Sequence, residues 1–210
     1  MQLSNQKTSF LIAVYSTLLV QLLITFTIVY KFHGNAPINA ISQKYWLLFV
    51  ILTFAIILML AFVRMHPMLK LLLFSLFAVS FGFMILTVSA NYPTERVHIA
   101  LISALAVFVM TSIIGLILTN LGYNTRFMLP YLLVALLAII ITEIVLFINK
   151  SKGKTFHIVL VLVIVLFAIF NMVDTNMVLR KDYFGDYITA SIDFYLNILN
   201  TFMAIFGLEG

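Results

Sequence analysis

The chain has 210 residues, of which 64% are hydrophobic and only 9% are charged, and its mean hydropathy is +1.18. Soluble domains contain about half apolar and about a quarter charged residues, so this composition excludes a soluble protein and indicates a membrane protein. The net charge of +5 comes from basic residues dispersed over short connections, which excludes a nucleic-acid-binding patch, and the lack of cysteine excludes disulfides and thiolate chemistry.

Apolar runs of about 20 residues, the length that crosses about 30 Å of hydrocarbon as a helix, follow one another along the chain. In chain order they are 8–30, 45–63, 69–90, 98–119, 128–149, 157–179 and 187–206. The first run exceeds the about 7–15 residues of a secretory signal and is predicted to be a retained span. The longest connection, 31–44, contains Gly34 and Pro37 and is predicted to be a loop. We predict one domain over 1–210, an all-α membrane protein built as a seven-helix transmembrane bundle.

The distribution of basic residues does not orient this bundle. If the chain crosses seven times, six basic residues lie on each side of the membrane. One side has Lys7, Arg64, Lys70, Arg126, Arg180 and Lys181, and the other has Lys31, Lys44, Arg96, Lys150, Lys152 and Lys154. A re-entrant last segment, which would leave six crossings, is therefore an open alternative. We interpret the basic residues as headgroup anchors. The four histidines lie in connections or at span ends without paired ligand spacing, so we predict no bound metal and no cofactor.

The last segment carries a polar stripe within "GDYITASIDFYLNILNTF" (185–202). At 100° per residue, six polar side chains fall within about 120° of a helix: Asp186, Thr189, Asp193, Asn197, Asn200 and Thr201. An ionised aspartate at mid-bilayer costs at least about 2.5–3.5 kcal/mol, so we expect the stripe to face inward. The opposite face, with Tyr195 and Phe202, is expected to meet lipid or neighbouring apolar helices.

The partner predicted for this stripe is "FNMVDTN" (170–176), where Asn171 and Asp174 are three residues apart and share a helix face. If Asp174 approaches Asp193, the two acids would share a proton in the low dielectric and form a proton-sensitive cation site. The alternative is that the polar groups only hold helices together by hydrogen bonds. Glu143 is either a third functional acid or an acid reaching an interface, and the position of Arg64 at a span end suggests an interface anchor.

Several stretches resemble the transmembrane Bax inhibitor motif family, which includes the Bax inhibitor, Lifeguard and Golgi anti-apoptotic proteins. "VYSTLLVQLLIT" (14–25) is similar to that family's V-Y-x-x-L-x-x-Q-L-L-x-T signature. "VDTN" (173–176) is similar to Y-D-T-Q, and "DYITASIDFYLNILNTFMAIFG" (186–207) is similar to E-Y-I-x-A-A-x-x-L-Y-L-D-I-I-N-x-F. The segment 66–92 resembles the family's Y-P-L-N, F-T-L-x-E-G-F and T-V-S run, but Phe81 stands where many members have glutamate.

Carried over by resemblance, Asp174 matches one acid of the pair that lines and gates a calcium leak. The second acid falls on Asn197, which cannot share a proton as a carboxylate does. Asp193, one turn earlier on the same face, either compensates for that loss or belongs to the packing stripe. Asp193 lies about 6 Å along the helix axis from the position of the family's second acid. This distance favours the packing stripe and predicts a leak whose rate is nearly constant across mildly acidic pH. Arg64 matches an arginine that pairs with the sixth-segment aspartate in bacterial members.

The resemblance implies a passive calcium or cation leak channel that modulates intracellular calcium and inhibits apoptosis. Calcium is then the permeant ion. We predict no enzymatic activity and no cofactor, because the chain shows no catalytic motif. The implied partners are the lipid bilayer, calcium or other cations, and host cell-death regulators. The implied membrane is the endoplasmic reticulum or Golgi for a eukaryotic or viral protein, and the plasma membrane for a bacterial one. The alternative is a non-conducting membrane interaction protein that suppresses cell-death signalling by binding other membrane proteins.

Other seven-span classes fit less well. The last segment, 187–206, lacks the Schiff-base lysine of a retinal protein, and the chain lacks the D-R-Y and N-P-x-x-Y patterns of G-protein-coupled receptors. No Ser–His or Gly-rich paired-aspartate motif indicates an intramembrane protease.

Overall fold

The computed structural model describes residues 2–149, 153–180 and 183–208, and all the regular structure in these ranges is helical. The elements are α1 (Gln2–Phe32), α2 (Ala36–Lys44), α3 (Trp46–Phe62), α4 (Pro67–Ser89), α5 (Thr94–Asn120), a 3-10 turn (Arg126–Met128), α6 (Leu129–Ile148), α7 (Lys154–Arg180) and α8 (Tyr187–Leu208). Helices satisfy every backbone hydrogen bond within one segment, which is what a hydrocarbon environment requires. The predicted all-α membrane class is confirmed.

Within these described ranges, six helices are long and apolar enough to cross a bilayer: α1, α4, α5, α6 with its preceding turn, α7 and α8. The consecutive helices α2 and α3 are bent by 66° and together form the candidate for a seventh span. The break therefore lies at Tyr45, the first residue of the second apolar run. The last segment, for which the sequence left a re-entrant loop open, is instead one unbroken helix of 22 residues.

The prediction of a loop over 31–44 is wrong for 36–44, which form α2. Gly34 makes the turn, with a φ of +79°. The side chain of Asn35 then caps α2 by accepting a hydrogen bond from the Ile38 N–H at 3.3 Å, and Pro37 lies in the first turn. Proline at the start of a helix sacrifices no helical hydrogen bond, so Pro37 begins this helix rather than preventing it.

The chain divides into two compact units, Ile12–Glu95 and the described parts of Met1–Leu11 and Arg96–Gly210. The prediction of a single domain over 1–210 stays a prediction. In the unit Ile12–Glu95, α1 binds α4 through residues of the 14–25 signature. Gln21 Nε2 donates to Ser75 Oγ and Thr25 Oγ1 donates to the Ala78 carbonyl, each at 3.1 Å. Polar contacts of this kind hold helices together where hydrophobic association is weak, so these signature residues are structural.

The second unit is built around α7, which packs against α8 and α6. An apolar cluster that includes Val163, Phe167 and Val173 of α7 fills this region together with Leu132 of α6 and Ala204 of α8. Among the spanning helices of this unit, α8 is the most enclosed and α6 the least.

The apolar face of α8 packs against protein. Tyr195, Leu199 and Phe202 are each 0% exposed and Ile188 is 2% exposed. Of the two environments expected for this face, the structure therefore shows neighbouring helices rather than lipid.

Gly115 of α5 lies at a close approach of α5 to α7. A Cβ atom at Gly115 would lie 2.6 Å from the Met172 carbonyl oxygen and 2.8 Å from the Thr175 Cβ. At Gly207 of α8 the nearest atom to such a Cβ would be Leu160 Cδ1, at 3.0 Å. The first contact involves backbone that cannot move independently of its helix, whereas the second involves the flexible end of a side chain.

We therefore expect Gly115→Ala to destabilise the protein by about 1–3 kcal/mol, the usual cost of forcing an extra carbon into a packed contact. Gly207→Ala is the matched control and should be nearly neutral, because Leu160 can change rotamer and alanine favours the helix. Thermal unfolding of the purified variants in detergent measures both effects. Equal midpoints for the two variants would contradict the close α5–α7 packing.

Candidate functional site

The centre of the site is a contact between Asp174 of α7 and Asn197 of α8, each of which is 5% exposed. Asn197 Nδ2 donates a hydrogen bond to Asp174 Oδ2 at 2.7 Å. The two positions that the family resemblance matches to an acid pair therefore meet, but as an acid and an amide. The amide supplies a donor whatever the protonation state of the acid, so this contact needs no shared proton.

Asp193 is connected to the same site by Tyr183, a residue of the short connection between α7 and α8. The Tyr183 hydroxyl donates to Asp193 Oδ2 at 2.8 Å and also interacts with the carboxyl group of Asp174. Burial, followed by the charges of Asp174 and Asp193, raises the pKa of the Tyr183 phenol well above its usual range. The phenol therefore keeps its proton at physiological pH and acts as a donor. The sequence favoured Asp193 as a packing residue, whereas this contact supports a link with Asp174.

The order of these groups follows from helix geometry. Helical side chains lean toward the N-terminus of their own helix, so Asp193 and Asn197 lean toward the α7–α8 connection. Asp193 lies one turn nearer to that connection than Asn197. Asp174, six residues before the end of α7, leans away from the connection and meets Asn197. Tyr183 therefore occupies the connection side of both acids.

Two residues of the predicted stripe instead form the start of α8. Asp186 is exposed and caps the helix: its Oδ1 accepts from the Thr189 N–H at 3.0 Å and its Oδ2 accepts from the Thr189 hydroxyl at 2.7 Å. Aspartate is among the preferred N-cap residues. Gly185–Asp186 before an apolar run was a signal that could have identified this cap.

The remaining stripe residues are not brought into contact with the acids by the hydrogen bonds of the described residues. Asn200 Nδ2 donates to the Leu196 carbonyl of its own helix at 2.7 Å, and Thr201 is 3% exposed. The predicted inward face is thus divided between a helix cap, an acid–amide site and local hydrogen bonding.

Asn171 contacts a different helix from Asp174, although the two residues are only three apart. Its Nδ2 lies 2.8 Å from the Phe108 carbonyl, 2.6 Å from Thr111 Oγ1 and 3.0 Å from Ser112 Oγ, all on α5. Packing by hydrogen bonds, the alternative considered for the whole stripe, therefore describes Asn171 well.

Asn176, which the sequence did not single out, organises the connection between α5 and α6. Its Nδ2 donates to Thr119 Oγ1 at 2.8 Å and to the Tyr123 carbonyl at 3.0 Å. Its Oδ1 accepts from the Thr125 N–H at 3.1 Å, and the residue is 0% exposed. Asn176, the last residue of "VDTN", thus provides hydrogen-bond partners for a backbone N–H, a backbone carbonyl and a side-chain hydroxyl.

Arg96 has a structural role that differs from the predicted headgroup anchor. Its Nε donates to the Phe206 carbonyl at 3.2 Å, its Nη2 donates to the same oxygen, and its guanidinium lies 4.6 Å from the centre of the Phe206 ring. A cation is favourable at a helix C-terminus and over an aromatic face. Arg96 therefore fastens the start of α5 to the end of α8.

The other charged candidates can be placed individually. Arg64 is exposed in the connection between α3 and α4, in the unit Ile12–Glu95, and its role as a counter-charge stays a prediction. Glu143 is half-buried on α6. Within the part of the chain that the structure describes, no group of three His, Cys, Asp or Glu side chains could hold a metal ion.

The helices and this site define a multi-pass membrane protein with a buried acid–amide contact between its last two helices. The family model described as "Inhibitor of apoptosis-promoting Bax1" matches residues 7–208, so the chain belongs to this Bax inhibitor family of anti-apoptotic membrane proteins. It is also similar to "Protein LIFEGUARD 1" of Arabidopsis thaliana, with 27% identity over 213 residues covering 98% of this chain and 90% of that protein. The resemblance found in the sequence is confirmed.

We expect Asn176→Leu to destabilise the protein by roughly 1–3 kcal/mol, because it leaves the Thr125 N–H and the Tyr123 carbonyl without their buried partner. Asn200→Leu makes the same chemical change on α8 but removes a contact with only its own helix, so it should have a much smaller effect. Thermal unfolding in detergent compares the two. A similar loss in both variants would argue against the role of Asn176 in the α5–α6 connection.

Proposed function

We propose that the chain is a passive leak for cations, including calcium, controlled at the Asp174–Asn197 contact, and that this leak modulates calcium and cell-death signalling. The observation that carries the proposal is the kind of partner that Asp174 has. Asn197 and Tyr183 are neutral donors, so they satisfy the carboxylate without cancelling its charge. Ionisable residues inside a membrane are rare and commonly mark ion pathways or proton relays, and among the described residues the hydrogen-bond partners of Asp174 are neutral.

The second acid strengthens the electrostatic argument. Asp193 acts on Asp174 through its charge, and the two carboxyl groups approach the same phenol. Neighbouring acids with low-dielectric walls create a negative potential that attracts cations. Carboxylate and amide oxygens are also the ligands that calcium prefers.

The small number of oxygen ligands at this site supports a calcium leak rather than tight calcium binding. Protein sites that hold calcium strongly use six to eight oxygen ligands. Conduction instead requires binding that is favourable enough for entry and weak enough for release. Two acids and one amide are enough to attract a cation but too few to hold it tightly, as conduction requires. We propose a non-enzymatic role for the chain, in an endoplasmic reticulum or Golgi membrane if it is eukaryotic or viral and in the plasma membrane if it is bacterial.

Asp174→Asn should reduce calcium flux through the purified protein in liposomes by roughly tenfold or more, because one buried charge interacts with a nearby cation by several kcal/mol. The amide preserves size and hydrogen bonding, so the variant should stay folded in detergent. The matched control is Asp186→Asn, which makes the same change at the exposed cap of α8, where asparagine caps equally well. Its flux should equal that of the wild type.

Two results would count against this assignment. Unchanged flux in Asp174→Asn, together with simple destabilisation in Asp174→Leu, would make the acid structural. A wild-type protein that is folded but transports no cation would favour the alternative function, a non-conducting protein that binds other membrane proteins.

Asn197→Asp should make the flux vary more steeply with pH than it does in the wild type. Two carboxyl groups at the 2.7 Å separation of the present contact must share a proton, whereas the wild-type amide contact does not depend on one. Flux measured from mildly acidic to mildly alkaline pH tests this, with Asn200→Asp as the control for an added acid elsewhere on α8. Identical profiles for Asn197→Asp and the wild type would show that this contact does not control the path.

A further inference from the structure

The short helix α2 lies in a part of the chain whose charges are almost all basic. Residues 1–94 contain five lysines or arginines and no aspartate or glutamate, so every acid of the chain follows residue 94. Lys31 lies in the last turn of α1 and Lys44 ends α2. Glu95, the acid of the unit Ile12–Glu95, is its last residue. Such an imbalance of charge favours a negatively charged partner.

Contacts before, within and after α2 fix its position. In the turn before α2, His33 Nε2 lies 3.2 Å from the Ser89 carbonyl oxygen at the end of α4. Ser42 of α2 is buried, and α2 packs against α4. In the first turn of α3, the Phe49 ring stacks on the Phe83 ring of α4 with their centres 5.0 Å apart. The helix α2 therefore has a defined inner face and a defined outer face.

The outer face of α2 combines apolar and hydrophilic side chains. Ala40, Ile41, Gln43 and Lys44 are all exposed. A helix of nine residues is about 13 Å long, too short to cross a bilayer, and a lysine inside hydrocarbon is costly. At the membrane surface, Ile41 can reach the acyl-chain boundary while Gln43 and Lys44 stay hydrated. The side chains of α2 therefore suit a headgroup layer better than a hydrocarbon core.

The bend between α2 and α3 occurs at two residues that favour the membrane interface. Tyr45 and Trp46 lie at the break and are 45% and 49% exposed. Tyrosine and tryptophan are enriched at headgroup level because their rings have both apolar and polar parts. The two helix axes differ by 66°. If α3 stands close to the membrane normal, α2 therefore lies closer to the membrane plane than to the normal.

The two lysines at this surface keep their charge available for an anion. Lys44 Nζ lies 5.4 Å from the centre of the Tyr45 ring, and Lys31 Nζ lies 5.9 Å from the centre of the Phe32 ring. Neither lysine has an ion-pair partner within the residues that the structure describes. An aromatic ring attracts an ammonium group without neutralising it. Both ammonium groups can therefore donate hydrogen bonds to the phosphate of a neighbouring lipid.

We propose that α2 is an interfacial helix that lies in the headgroup layer of one leaflet, and that the surface it forms selects anionic phospholipids. This anionic-lipid surface consists of Lys31, Ile41, Lys44, Tyr45 and Trp46. In the second apolar run, α3 alone then crosses the hydrocarbon. The partner is a lipid rather than free phosphate, because the lysines lie beside exposed apolar and aromatic side chains that match an acyl-chain boundary. The inference does not depend on the proposed leak.

Trp46 is the only tryptophan of the chain, so its fluorescence reports which lipids lie beside this surface. The purified protein is reconstituted in zwitterionic lipid that contains the same mole fraction of either a brominated zwitterionic or a brominated anionic phospholipid. Because bromine quenches indole fluorescence at short range, the more strongly associated lipid quenches more. The anionic lipid should associate about fivefold more strongly, as expected for one lysine near an anionic headgroup, and high salt should reduce this preference.

A pair of matched variants tests the lysine. Lys44→Gln should remove most of the preference for the anionic lipid. Lys70→Gln makes the same change in the first turn of α4, beyond the far end of α3 from Trp46, and should retain the preference. Equal quenching of the wild type by the two brominated lipids would overturn the anionic selectivity. An equal loss of preference in both variants would also overturn it, because the effect would then not belong to this surface.

A second measurement locates α2 relative to the hydrocarbon. Because the chain contains no cysteine, Ala40→Cys, Gln43→Cys and Phe54→Cys each introduce a single thiol. In lipid nanodiscs, where both membrane faces are open to solvent, a charged thiol reagent should label the two α2 variants quickly and Phe54→Cys, at the centre of α3, slowly. Slow labelling of all three would place α2 inside the hydrocarbon and overturn the interfacial helix. Neither measurement uses ion flux, so a protein without a leak would leave both results interpretable.

Discussion

The structure of the last two helices depends on the need to provide partners for the Asp174 carboxyl group inside an apolar environment. An enclosed carboxyl group without hydrogen bonds would be very costly. Asn197 provides one bond and Tyr183 approaches from the connection. This requirement explains why α8 is both the most polar and the most enclosed of the spanning helices in its unit.

The polar residues near the end of α7 are directed to different neighbours. Asn171 binds α5, Asp174 binds α8, and Asn176 binds the connection between α5 and α6. In a bilayer, where lipid is as apolar as a leucine side chain, such specific contacts and close packing at small residues such as Gly115 determine which helices associate. Only Asp174 among these three residues is ionisable, so hydrogen-bonded packing and the acid site are separated within two turns of one helix.

The sequence predicted the long helices because apolar length reports them directly, and the family motifs matched Asp174 and Asn197 to a pair of positions. The approach predicted from the residues themselves, however, was that of Asp174 to Asp193, whereas the hydrogen bond of Asp174 is with Asn197. It did not predict Tyr183, because an aromatic residue in a charged connection resembles an interface anchor and its direction depends on the strained turn at Phe184. Arg96 was misinterpreted for a similar reason, since its partner, the Phe206 carbonyl, is 110 residues away. The helix at 36–44 was missed because Pro37 was interpreted as a loop signal. Asn35 instead caps this helix, and Pro37 lies in its first turn. Each of these features depends on a contact that composition and periodicity do not encode.

The bend between α2 and α3 has a consequence for the match between protein and lipid. The second apolar run has only the 17 residues of α3 on one axis, which gives about 25 Å of helix, less than the about 30 Å of an average hydrocarbon core. If α3 is the part of this candidate span that crosses, its short length would be accommodated by local thinning of the bilayer, at a cost that grows with each ångström of mismatch. Membranes with a hydrocarbon core of about 27 Å, as in the endoplasmic reticulum, reduce that cost. The thickness of the surrounding membrane thus becomes a variable that acts on this part of the chain.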